Sequence, residues 1–157
     1  MDALTVAVES PTGADLDLLF ARHSAHCHAD TPPESMHMMD RGGLAAKGIT
    51  FLVLRDGAGQ PVGMGALKKL DDGTAELKSM HVLSEARGSG AARQLLASLI
   101  DMARQMQADA IYLETGAQPS FAPARALYLR AGFTQCGPFA GYKEDPNSAY
   151  LVLHLPD

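Results

Sequence analysis

The sequence contains no tryptophan, only two cysteines, and 6% aromatic residues in 157. With so few large rings, its core must be built mainly from aliphatic side chains. Cys27 and Cys136 lie far apart in sequence and make no disulfide framework, so reduced thiols in a cytosolic protein are the simpler reading. No apolar run approaches the length of a membrane span. No run of Lys or Arg stands out and the formal net charge is -5, which argues against nucleic acid or an anionic membrane as partner. The opening residues Met1 to Glu9 carry acid and no basic n-region, so they do not read as a signal peptide. The expected location is the cytoplasm.

What is present suits one folded domain over residues 1–157. Hydrophobic residues make up 46%, enough for a single core, and no repeat or linker interrupts the chain. Thr5 to Glu9 reads as a strand. A helical pattern begins at Asp15, with Thr12 or Asp15 as candidate cap. Two prolines at 32 and 33 end it, and Met36-His37-Met38-Met39 reads as a short second helix. Ile49 to Leu54 is nearly all apolar, hence an internal strand. Asp56 to Gln60 and Asp71-Asp72-Gly73 are hairpin turns flanking a strand from Pro61 to Leu70. Gly63 and Gly65 inside that strand imply a bulge or the close approach of another group.

From Ala75 to Leu83 the apolar alternation slips, with Leu77 on one parity and Met80 and Val82 on the other. One extra residue near Lys78 and Ser79 restores a single buried face, which predicts a β-bulge there. The next helix carries Ala92, Leu95, Leu96, Leu99, Ala103 and Met106 on one stripe, and Ala110 to Thr115 follows as a strand. Strand, helix, strand implies a right-handed parallel crossover. A last helix from about Ala122 stops near Gly132, and short strands follow at Phe133 to Cys136 and Tyr150 to Leu155.

The turn Arg87-Gly88-Ser89-Gly90-Ala91-Ala92 joins the slipped strand to its helix. The first N–H groups of a helix lack internal partners and carry partial positive charge, so such a turn can hold phosphate. A tight connection that binds nothing is the plainer reading. A dinucleotide fingerprint fails because Arg93 stands where its third glycine or alanine belongs, and a P-loop fails for want of Gly-Lys-Ser/Thr. His23 and Cys27, four apart on one helix face, could ligate zinc. No second ligand pair with zinc-like spacing follows, so no metal is expected.

The turn, the tract Glu76 to Val82 before it, and the downstream Leu127-Tyr128-Leu129-Arg130-Ala131-Gly132-Phe133 together resemble the GCN5-related N-acetyltransferase family. The turn fits that family's Gln/Arg-x-x-Gly-x-Gly/Ala loop, and the second tract its Leu-Tyr-x-x-x-Gly-Phe signature. The resemblance implies a mixed α/β fold: a mostly antiparallel twisted sheet of six or seven strands, a central parallel β-α-β splay, and about four helices. It implies acetyl-CoA as acetyl donor, with backbone groups of Met80, His81 and Val82 pairing with the pantetheine arm. Residues Gly88, Ser89, Gly90, Ala91 and Ala92 would hold the pyrophosphate, with Arg87 or Arg93 as charge partner. A family asparagine seven residues before the tyrosine is replaced by Phe121, which loses that side-chain contact and leaves apolar packing on the pantetheine or on the core in its place.

The resemblance also implies direct transfer to an amine. Tyr128 is the candidate general acid for the leaving thiolate, since tyrosine stays protonated at neutral pH. Glu76 is the candidate base, acting directly or through water, or else half of an ion pair with Lys78 or a histidine, and Glu114 is a weaker base. A backbone N–H near Val82 is the candidate oxyanion donor. A small-molecule amine is the expected acceptor, with a peptide amine, a non-catalytic acyl-CoA sensor and a homodimer as open alternatives.

Overall fold

In a computed structural model, residues 3–32, 35, 41–86 and 88–156 are described. The predicted second helix at 36–39 and the predicted charge partner Arg87 lie outside them. Seven strands form one sheet in the order β1-β2-β3-β4-β5-β7-β6. They are β1 (Thr5–Val8), β2 (Ile49–Arg55), β3 (Pro61–Lys69), β4 (Ala75–Val82), β5 (Ala110–Gly116), β6 (Thr134–Gln135) and β7 (Ser148–His154). Among the described residues, three α-helices pack on it: α1 (Asp17–Asp30), α2 (Ala91–Gln105) and α3 (Ala122–Arg130). Every strand pair is antiparallel except β4 with β5. The mixed fold and the parallel crossover through α2 are those expected.

The sheet is covered on both faces, which explains the apolar run of β2. Leu52, Leu54, Leu67 and Leu77 point into the core under α2, with Leu95, Leu96 and Leu99. Phe51, Val53, Met64 and Ala66 point the other way, onto Leu16 and Leu19. Each fully buried leucine stabilises the fold by roughly 1.5–3 kcal/mol. The buried stripe of α2 begins at Ala91 rather than Ala92.

The glycines of β3 serve close packing. A methyl group on Gly65 would lie 2.7 Å from Leu99 Cδ1, and one on Gly63 would lie 3.3 Å from Leu95 Cδ2. Opposite Gly65 the partner strand has two residues, because Met64 pairs with His81 and Ala66 with Lys78. Ser79, at φ 57°, is the first of the pair. The predicted bulge is therefore present.

Neither Thr12 nor Asp15 caps α1. A 3-10 turn at Ala14–Leu16 precedes the helix, and Leu16 is its N-cap without a side-chain hydrogen bond. Asp15 instead accepts from Arg55 Nη1 at 2.7 Å, and Arg55 also pairs with Glu9. A strand-to-helix ion pair has taken the carboxylate that helix-capping preference alone would assign.

Candidate active site

The bulge sets up the site. β4 and β5 pair only from Ala75–Ile111 to Leu77–Leu113, and then part. Beyond that point the facing edges of 78–82 and 114–116 have no ladder partner across the gap. At the gap the buried Ser79 Oγ has no hydrogen bond. A cleft of about 660 Å³ fills the splay, lined by β4, β5, α1, α2 and α3.

The glycine turn closes one end of the cleft. Gly88 and Gly90 both have φ of 81°, a conformation that suits glycine, and the space in front of each is open. Gly90 is the N-cap of α2, so the first N–H groups of that helix face the opening. Gly88, Gly90, Ala91, Ala92 and Arg93, the residues assigned to the pyrophosphate, line the cleft. Ser89 does not; its hydroxyl donates to the Ala86 carbonyl at 2.5 Å. Arg130, in the last turn of α3, also lines the cleft, and no motif pointed to it.

Tyr128 reaches the cleft from α3. It is only 6% exposed and packs against Phe133 with ring centroids 5.7 Å apart. Among the described residues its hydroxyl has no hydrogen-bond partner, and it opens into the cleft. Burial raises its pKa above the ordinary tyrosine value, and the phenol is protonated at neutral pH.

Phe121 stacks on His26 with centroids 4.5 Å apart and planes at 23°. His26 in turn lies 6.2 Å from the His81 ring, and His81 lies 5.4 Å from that of His23. These four rings line the cleft as a row from the end of β5 to α1. His23 and Cys27 do meet, sulfur to ring nitrogen at 3.9 Å. Among the described residues, however, no three His, Cys, Asp or Glu come together as a metal site. His28 turns away, its Nδ1 bonding the Ser24 carbonyl at 2.8 Å. Burial and the charge of Glu114 push the Cys27 thiol up to about 11, so it is a neutral thiol at pH 7.

Glu76 is 3% exposed on the strand face opposite Ala75 and Leu77. Its Oε2 accepts from Lys78 Nζ at 3.0 Å and from Tyr142 Oη at 2.6 Å. The ion pair with Lys78 that the sequence left open is thus formed. Tyr142 was legible only as a residue in a loop, because nothing local links it to a carboxylate 66 positions away. Burial, then the hydrogen bond to Glu76, raise its pKa above the ordinary value. Glu114 lines the same chamber.

A splayed parallel strand pair, a bulge at the splay, and a glycine turn at a helix N-terminus define an acyltransferase of the acyl-CoA N-acyltransferase fold. Residues 17–133 match the model of the Acetyltransferase (GNAT) family, and the chain belongs to that family. It is 37% identical over 156 residues to the IAA acetyltransferase of Azospirillum brasilense, covering 99% of this chain and 100% of that protein. An assigned acyl-CoA N-acyltransferase structure from Klebsiella pneumoniae superposes with TM-score 0.80 at 29% identity, covering 97% of each chain. The acetyltransferase yncA of Salmonella typhimurium, solved with acetyl-CoA, shares the fold with TM-score 0.71 at 20% identity, over 99% of this chain and 95% of that one. Acetyl transfer is the activity these likenesses support. Among the described residues, no helix is long and apolar enough to cross a membrane.

Proposed function

We propose that the protein transfers acetyl from acetyl-CoA to the amine of a small molecule by direct attack. The observation that carries this reading is the gap between β4 and β5, where their ladder stops after Leu77–Leu113 beside the orphaned Ser79 hydroxyl. A pantetheine arm laid along Met80, His81 and Val82 pairs with β4 in the manner of an added strand. The open glycine turn and the start of α2 accept the diphosphate, with Arg93 and Arg130 as cations at the cleft wall. Phe121 offers an apolar surface where relatives of the family carry asparagine. The residues present therefore fit acetyl-CoA, which the Salmonella typhimurium structure holds.

The thioester supplies an activated acetyl group to a neutral nitrogen. Glu76, in the chamber on the α1 face, receives an N–H of the acceptor and takes its proton, directly or through water. A backbone N–H near Val82 stabilises charge developing on the carbonyl oxygen. Tyr128, protonated and open to the cleft, donates to the departing sulfur. The chamber is bounded by α1, which favours a compact acceptor over a folded protein surface. Two unbridged thiols accord with a reducing cytoplasmic setting.

The test is thiol release from acetyl-CoA by the purified protein over a panel of primary amines. Turnover with any of them supports the reading. Retention of CoA without turnover would instead favour a sensor of the same fold, and failure to bind CoA overturns both.

A further inference from the structure

Glu76, Lys78 and Tyr142 form a closed cycle in the acceptor chamber, and the cycle uses only one of the two carboxylate oxygens. Lys78 Nζ donates to Glu76 Oε2 at 3.0 Å and to Tyr142 Oη at 3.1 Å, while Tyr142 Oη donates to the same Oε2 at 2.6 Å. Among the described residues nothing donates to Oε1, which opens to the cleft. A carboxylate free to rotate would present either oxygen; this one is held from two directions.

Tyr142 is brought there by the connection between β6 and β7, which crosses the chamber as a strap. Ala140 and Gly141 take φ of 47° and 86°, and Tyr142 N–H closes a turn on the Phe139 carbonyl at 2.8 Å. The strap is tied down beyond the tyrosine, where Tyr150 Oη donates to the Lys143 carbonyl at 2.7 Å. It is tied again where Asn147 Nδ2 donates to Ser35 Oγ at 3.2 Å. A non-glycine residue in the left-handed region costs on the order of 1 kcal/mol. That conformation is retained where it aims Tyr142 inward.

We propose that Tyr142 and Lys78 are positioning residues that lock Oε2 and so present Glu76 Oε1 as the seat for the acceptor's N–H. This rests on the acetyl-CoA reading above. It makes the site a reader of N–H donors: a nitrogen acceptor satisfies Oε1, and an oxygen isostere without hydrogen leaves a buried carboxylate oxygen unpaired.

Two unreactive probes test this without knowledge of the natural acceptor. One is the thioether of CoA with N-benzylacetamide, which carries an N–H; the other is the thioether with benzyl acetate, which has an ester oxygen there. Titration calorimetry should show the wild-type protein binding the amide at least tenfold more tightly than the ester. Tyr142→Phe should reduce that ratio below threefold while leaving the affinity for CoA itself unchanged. Lys78→Gln gives the same comparison independently, and CoA affinity reports that each variant is folded. Equal binding of amide and ester by the wild type overturns the inference alone, as does a ratio unchanged in both variants. A protein that binds none of the CoA compounds overturns the acetyl-CoA reading and this inference with it.

Discussion

The ring of Phe121 lies against Gly116 so closely that a methyl group there would be 2.3 Å from Cδ2. Gly116 ends β5, and Phe121 stacks on His26 across the cleft. The missing side chain at one position therefore sets the ring at the other. Gly116→Ala should turn the ring off His26 and widen the cleft. The half-buried ring can move, so the cost falls at the low end for overpacking, about 1 kcal/mol. That corresponds to a melting point lower by roughly 2–4 °C. The KM for acetyl-CoA should rise several-fold. In a Phe121→Ala background the same glycine change should cost much less, since the two residues couple directly. Equal costs in the two backgrounds would deny the contact.

At Gly90 the relevant fact is open space. No atom lies within 4 Å of where a Cβ would be, but φ is 81°. Asparagine and aspartate tolerate that region comparably, so the pair separates shape from charge. Gly90→Asp places a carboxylate at the start of α2, in the proposed phosphate site, where it would repel the ligand and take up its N–H groups. Its Kd for CoA should exceed that of Gly90→Asn by at least tenfold, a difference of about 1.4 kcal/mol. Calorimetric values within twofold of each other would mean that the turn holds no diphosphate.

The bulge and the turn were legible because each leaves a local trace. A parity slip between Leu77 and Met80 marks an added residue, and glycines before a helix mark its open N-terminus. The part of the cleft around Glu76 left no such trace. Tyr142 meets Glu76 across 66 residues, and Arg130 reaches the cleft only because α3 packs where it does. Local pattern also misassigned Asp15, whose capping preference lost to an ion pair with Arg55 from the sheet. Neighbours in sequence reveal backbone devices; contacts between side chains of distant elements appear only when the sheet is assembled.

Tyr128→Phe removes a hydroxyl that no described residue satisfies, so the fold has little to lose by it. Its Tm should stay within about 2 °C of wild type, in line with a change of no more than roughly 0.5 kcal/mol. Turnover should fall about a hundredfold with the KM for acetyl-CoA nearly constant, the mark of an interaction made only in the transition state. Replacing CoA by a donor with a more acidic thiol should restore part of the rate, because that sulfur needs less help to depart. Unchanged turnover would remove Tyr128 from the chemistry.

His23 links the chamber to acid stability. Burial first, then the nearby charges of His81 and His26, lower its pKa from the ordinary 6.5 to about 4. The surrounding groups are Cys27 on α1 itself, His81 on β4, and Glu114 on β5 as a charge felt at Cys27. Between the two pKa values the unfolded chain binds a proton that the folded one refuses, so stability rises with pH across that window. The contribution is fully present above about pH 6.5 and is lost as pH falls toward 4. For a partly accessible ring its size is on the order of 1–3 kcal/mol. Urea unfolding at pH 7 and pH 5 should show the wild type losing more stability than His23→Gln by about 1–2 kcal/mol. The comparison uses the change with pH, so packing lost in the variant cancels. Parallel losses in the two proteins would show that His23 titrates no differently folded than unfolded.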